Sequence, residues 1–310
     1  MNLVTLQDVQ AAVSRIAGIA LRTPLLPFSE DFWLKPENLQ PIGAFKLRGA
    51  VNAIGALAPK AVITHSSGNH GRALAYAGAR QNIPVTVVMP DVSPRVKVDA
   101  IAALGAEVIM VPPPERLEVA EKIAAEKGAT LIPPFDHPAV IAGQGTIGLE
   151  ILEDLPERPE ADVIIVPVGG GGLISGVAAA VKALRPACRI IGVEPELAGE
   201  AAESLQRDRL TPWPVEKTYQ TVADGVRTAP SPLTFAHLRE YVDDIITVSD
   251  DEIIKAMGVL ATRARLVAEP SGALPMAAYL YRRGFLPAGR TVAVISGGNV
   301  DPELLRTCLT

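Results

Sequence analysis

Lys46 lies in the string Lys35-Pro36-Glu37-Asn38-Leu39-Gln40-Pro41-Ile42-Gly43-Ala44-Phe45-Lys46-Leu47-Arg48-Gly49-Ala50. A lysine is ordinarily a hydrated point charge on a flexible stem. Behind an aromatic and a Gly-Ala pair it suits a partly desolvated pocket, where a depressed pKa frees the amine to form a Schiff base. A lone lysine in such a setting is more often structural, because lysines are seldom buried. A phosphate has its own expected place. Pro167-Val168-Gly169-Gly170-Gly171-Gly172-Leu173 follows a predicted strand and opens a helix. Successive glycines let several backbone N–H groups turn toward one anion at the positive end of the helix. The plainer reading is a tight turn needing positive φ, for which one or two glycines suffice. His65-Ser66-Ser67-Gly68-Asn69-His70-Gly71 also joins a predicted strand to a helix, an anion-binding position suited to a carboxylate. Ser296-Gly297-Gly298-Asn299 follows another predicted strand, at the end where open α/β sheets place ligands.

These residues need a scaffold of alternating elements. Strands are predicted at 61–64, 84–89, 107–111, 162–168, 189–193, 244–248 and 291–295. Alanine-rich helical segments are predicted at 71–80, 94–104, 115–127, 139–155, 173–184 and 250–266. That alternation calls for an α/β protein with parallel sheets covered by helices on both faces. Thr5 with Asp8, and Ser249 with Glu252, have the spacing of helix caps. The G-x-G-x-x-G match at Gly143–Gly148 lies inside a helical pattern, so it reads as close helix packing and not as a dinucleotide site. Pro133-Pro134 and Asp136-His137-Pro138 interrupt the pattern near residue 137, the expected domain crossover.

Composition narrows the function classes. Hydrophobic residues are 48 % and charged residues 20 % of 310, the balance of a compact globular protein long enough for two domains. A net charge of −5 without a basic block argues against nucleic acid. Two distant cysteines, Cys188 and Cys308, support neither a disulfide framework nor structural zinc. The charge-free run from Val163 to Val181 has the length of a membrane span. Pro167 and the glycines break it, so it reads as strand, loop and helix. With no signal-like start, a cytoplasmic protein without a membrane partner is expected.

Together the quoted strings resemble the pyridoxal-phosphate enzymes of the tryptophan-synthase-like fold, in the branch of threonine dehydratases, serine dehydratases and serine racemases. The resemblance runs from Leu34 to Asp301. It implies two parallel-sheet three-layer domains with the active site in the cleft between them: a large domain of residues 1–50 plus 138–310, and a small inserted domain of 51–137. It also implies a homodimer or homotetramer acting on a small amino acid. Lys46 would carry pyridoxal 5'-phosphate and act as catalytic base. The cofactor phosphate would sit on Gly169, Gly170, Gly171, Gly172 and Leu173. Phe45 and Gly225 would flank the ring, Asn69 would bond its hydroxyl, Glu269 would lie near its polar edge, and Ser296 would face its nitrogen. A neutral serine there makes the ring a weaker electron sink, which suits β-elimination. Ser66, Ser67, Asn69 and His70 would surround the substrate carboxylate, while His65, His137 and His237 are expected to be structural.

The implied reaction converts L-threonine to 2-oxobutanoate and ammonia, with L-serine as a side substrate. Departure of the hydroxyl is assisted by the cofactor phosphate. The chain ends soon after Asp301, so a C-terminal regulatory domain is not expected. Racemisation is the principal rival, with Ser67 as the acid/base on the opposite face. A non-catalytic module binding a phosphate ligand is a rival of another class. Glu194, Ala198 and Glu200 match a site at which some relatives hold a divalent cation, magnesium or calcium by ligand type. Gly199 stands where an acid is common, and exposed carboxylates are more often simply solvated.

Overall fold

The structure is a computed structural model and describes residues 2–66, 68–155 and 161–309. Its ten strands are β1 (Leu26–Ser29), β2 (Phe32–Pro36), β3 (Val62–Thr64), β4 (Val85–Pro90), β5 (Glu107–Val111), β6 (Thr130–Leu131), β7 (Val163–Pro167), β8 (Arg189–Pro195), β9 (Asp244–Val248) and β10 (Thr291–Ile295). They form a six-stranded sheet, in the order β1-β2-β10-β7-β8-β9, and a four-stranded sheet, in the order β5-β4-β3-β6. Every pairing is parallel except β1 with β2, an antiparallel edge hairpin.

The helices of the first half are α1 (Leu6–Ile16), α2 (Lys46–Leu57), α3 (Asn69–Gln81), α4 (Arg95–Ala102), α5 (Arg116–Lys127) and α6 (Pro138–Asp154). The second half supplies α7 (Gly172–Leu184), α8 (Glu200–Gln206), α9 (Val215–Thr218), α10 (Pro232–Tyr241), α11 (Asp250–Val259), α12 (Pro270–Tyr281) and α13 (Pro302–Cys308). Each predicted strand is present to within two residues. β1, β2 and β6 escape the sequence reading, because Pro27 and the Glu30-Asp31 turn break the first pair and β6 is two residues long. The predicted helix over 250–266 stops at Val259, where a π-turn (Leu260–Ala264) and a left-handed Arg265 end it.

Sequence explains where the core sits. β7 and β10 are buried throughout, so they read as unbroken apolar runs and not as alternation. The charge-free run after Val163 is, as expected, strand, glycine turn and buried helix, and among the described residues no helix is long and apolar enough to cross a membrane. α6 is buried from Val140 to Ile151. A Cβ on Gly143 would meet the Arg48 carbonyl at 2.6 Å, and one on Gly148 the Val177 carbonyl at 2.9 Å. The glycine spacing therefore lets α6 pack tightly on α2 and α7, as the sequence suggested. α12 was not foreseen, since Pro275 inside it reads as a breaker; continuous burial from Pro270 to Ala278 outweighs that signal.

Candidate active site

Lys46 is the first residue of α2, which has no side-chain cap. The segment before it lies on the end of β10: the Phe45 N–H donates to the Ser296 carbonyl at 3.0 Å, and Ala44 bridges Gly297. The half-buried Lys46 amine donates to the Pro134 carbonyl at 2.7 Å. Burial pushes its pKa down to about 8, against the opposing charge of Glu269. A cation at a helix N-terminus is also disfavoured by the helix dipole. The amine is thus poised to lose its proton near neutral pH.

The glycine loop leaves β7 and enters α7, with Gly171 at φ +84°. Among the described hydrogen bonds, the N–H groups of Gly169, Gly170, Gly171, Gly172 and Leu173 meet no acceptor within the chain. Five consecutive free donors at a helix start form a cradle for a phosphate. Packing supplies a second reason for the glycines. Phe135 presses on the loop, and a Cβ on Gly172 would stand 2.7 Å from its Cβ. Pro134 and Phe135, neighbours in the chain, therefore touch the lysine amine and the glycine loop respectively.

The carboxylate loop leaves β3 and enters α3. Ser66 accepts from the Gly68 N–H at 3.4 Å, whereas Ser67 lies outside the described residues. Asn69 reaches into the six-stranded layer, where its Nδ2 donates to Glu269 at 2.8 Å and its Oδ1 accepts from Asn299 Nδ2 at 2.7 Å. Glu269 also accepts from the Asn299 N–H at 3.1 Å. Burial, with Asp224 second, pushes its carboxyl up to about 7. His70 is buried and pairs through Nε2 with the Ile132 carbonyl at 2.9 Å, so that nitrogen carries the proton. Burial, and then Lys46, push its pKa down to about 3, which keeps the ring neutral.

Gly225 donates its N–H to Ser271 Oγ at 2.9 Å, beside the Glu269 helix start, and Ser296 is buried at the end of β10. These donors and surfaces fit a phosphorylated aldehyde cofactor: a free amine, a phosphate cradle and a glycine without a Cβ. Lys46, Phe45, Asn69, Glu269 and Ser296 are joined by hydrogen bonds or chain adjacency. Glu194, Ala198 and Glu200 are not joined to them by any described contact. Both Glu194 oxygens take N–H groups at the start of α8, from Ala201 at 3.0 Å and Ala202 at 2.7 Å. Glu200 accepts from the Trp213 N–H at 3.0 Å. Burial pushes Glu194 up to about 8. Among the described residues no group of three acidic, histidine or cysteine side chains stands ready for an ion. The expected metal site draws no support here: these carboxylates hold backbone N–H groups. His137 caps α6, and His237 links the Val4 N–H to the Leu233 carbonyl, the structural roles expected of them.

Sequence reasoning missed Asn299, although its string was noted; only the fold shows that it ties Asn69 and the Ile42 carbonyl together. The Pro134 and Ile132 carbonyls carry no sequence signal at all, since every residue has a carbonyl.

Comparison with known proteins agrees with this geometry. Residues 16–297 match the family model described as pyridoxal-phosphate dependent enzyme. The chain is 41 % identical to an L-threo-3-hydroxyaspartate ammonia-lyase of Saccharomyces cerevisiae, over 99 % of this chain and 96 % of that one. It is 42 % identical to an L-threonine ammonia-lyase of Geobacter sulfurreducens, over 96 % of this chain and 76 % of that one. Among solved structures, maize serine racemase superposes with a TM-score of 0.92 at 37 % identity, covering 99 % of this chain and 97 % of the other. Over nearly its whole length, then, the chain belongs to the family of pyridoxal-phosphate dependent enzymes.

Proposed function

We propose that the protein is an ammonia-lyase for small β-hydroxy amino acids, with L-threonine as principal substrate and L-serine as a side substrate. The observation that carries the reading is the strap at Pro134-Phe135, which brings a lysine amine of pKa about 8 beside a cradle of free backbone donors. Residues 51–137 act as the small domain and the remainder as the large one. The cofactor, when bound, withdraws electrons from the substrate Cα and acidifies its proton. Gly169, Gly170, Gly171, Gly172 and Leu173 would hold its phosphate, Phe45 and Gly225 would flank its ring, and Ser296 would face the ring nitrogen. Ser66, Asn69, His70 and the start of α3 bind the substrate carboxylate. Neutral His70 adds no charge there, so the helix N–H groups supply the attraction. Lys46 takes the Cα proton, the β-hydroxyl takes up a proton and leaves as water, and one water then hydrolyses the dehydrated amino acid to 2-oxobutanoate and ammonia.

The likeness to a serine racemase supports a second reading in which Ser67 works on the opposite face. One experiment separates the two. Purified protein is loaded with pyridoxal 5'-phosphate and mixed with L-threonine or L-serine, while the visible spectrum, keto acid and D-serine are followed. Keto acid from threonine supports the lyase; D-serine without keto acid moves the function to racemisation; no visible band removes both.

A further inference from the structure

Two residues beyond Lys46, Arg48 is wholly buried and every N–H of its guanidinium has an acceptor. Nε and NH2 donate to the two Glu37 oxygens, each at 2.8 Å. NH1 and NH2 donate to the two Glu150 oxygens at 2.6 and 2.8 Å, and further bonds reach Thr146 Oγ1 and the Leu21 carbonyl, each at 3.1 Å. Lys35 donates to Glu150 and to the Thr23 carbonyl, both at 2.7 Å. Glu37 also accepts from Thr23 Oγ1 at 2.7 Å and Gln40 at 3.0 Å. Burial would push the Glu37 carboxyl up, but Arg48 outweighs it and holds the group below the usual carboxylate range.

We infer that Arg48 is a positioning residue for Lys46, and that the buried Lys35–Glu37–Arg48–Glu150 cluster sets the rotation of the first turn of α2. The inference rests on the reading of Lys46 as the reactive amine. Residues two apart on a helix point about 200° apart, so a clamp on the Arg48 face fixes the direction of the Lys46 face. Four buried charges are a poor means to stability, because apolar side chains of the same volume serve as well. Apolar side chains also slide. A planar fork held bidentately by two carboxylates does not, and it keeps both angle and height. The turn needs such a holder, since Phe45 gives it no side-chain cap and its upstream ties, Phe45 N–H to the Ser296 carbonyl at 3.0 Å, Gly298 N–H to the Gly43 carbonyl at 2.9 Å and Asn299 Nδ2 to the Ile42 carbonyl at 2.9 Å, all grip backbone before the helix and no side chain of the turn itself.

The test compares Arg48→Met, Arg48→Lys and Glu37→Gln with Ile190→Val, a core truncation in β8 away from α2. Three quantities are read: thermal midpoint, kcat and KM of the loaded enzyme, and the pH midpoint for acylation of Lys46 in cofactor-free protein, located by peptide mass. For Arg48→Met, kcat is expected to fall roughly 10- to 100-fold with KM little changed, the signature of a displaced reacting group. The acylation midpoint is expected to rise from about 8 toward that of a solvated lysine. Arg48→Lys recovers part of both, because it keeps the charge but loses the fork. If Arg48→Met does not fold, Glu37→Gln carries the test, with the same directions and smaller size. Variants that lose thermal stability as Ile190→Val does, with kcat and the Lys46 midpoint unchanged, would overturn the inference. Acylation needs neither cofactor nor substrate, so it decides the positioning role even if the proposed reaction fails.

Discussion

Lys35, in β2, and Lys46, at the start of α2, are treated differently by the fold. Lys35 is fully buried and is met by a carboxylate and a carbonyl, both at 2.7 Å, with Asp154 beyond at 3.7 Å. Lys46 is half-buried and, among the described residues, its amine is met by a carbonyl and by the Phe45 ring, 5.0 Å to the centroid, with no carboxylate in ion-pair reach. A carbonyl bonds the ammonium without neutralising it, so burial wins and the proton is held loosely. A carboxylate turns the same side chain into a structural charge. Burial does not by itself make a lysine reactive; the partner withheld from it does.

Breaking Lys46, the member proposed to be reactive, gives the largest effect. Lys46→Met is expected to lower turnover at least roughly 10³-fold and to abolish the visible band of the loaded protein, without lowering the thermal midpoint. Its stability difference from wild type also has a sign. The folded pKa of about 8 lies below the unfolded value of 10.5, so the unfolded chain binds more protons between them. Wild type therefore gains stability as pH rises through that window, whereas Lys46→Met lacks the gain. Denaturant titrations at pH 7 and 10 measure it.

Breaking the structural member costs stability first. Lys35→Met removes one partner of a buried carboxylate and is expected to cost about 3 kcal/mol in urea titrations, at the low end for a broken buried pair because Arg48 still holds Glu150. A loss comparable to that of an exposed pair would show that the two lysines differ less than their partners suggest. The smallest effect sharpens the contrast. The Glu269 charge opposes the downward shift of Lys46, so Glu269→Gln is expected to move the acylation midpoint of Lys46 below 8. An upward movement would show that Glu269 acts on Lys46 through position and not charge.

Much of this was legible in the chain itself, in a particular way. The glycine run, the lysine string and the strand-ending serines announce themselves, because each must lie where a sheet presents its carboxyl ends. The parallel sheets follow from apolar runs such as Val163–Pro167. Asn69 was legible as a polar group in the right loop, but its partners Glu269 and Asn299 lie 200 and 230 positions away. Glu194 misled because a buried acid that caps a helix from a neighbouring strand looks, in sequence, like a ligand. The contacts of Lys46 and His70 with backbone carbonyls have no letter to betray them.

Ile132, Pro134 and Phe135 lie on the connection from β6 of the four-stranded sheet to β7 of the six-stranded one; the chain passes the other way between β2 and β3. From this connection, one carbonyl holds His70, the next but one holds Lys46, and the following ring presses on the glycine loop. One short stretch of main chain thus gauges three distances at once, and a substitution that shifts its backbone would move the contacts of His70, Lys46 and the glycine loop together.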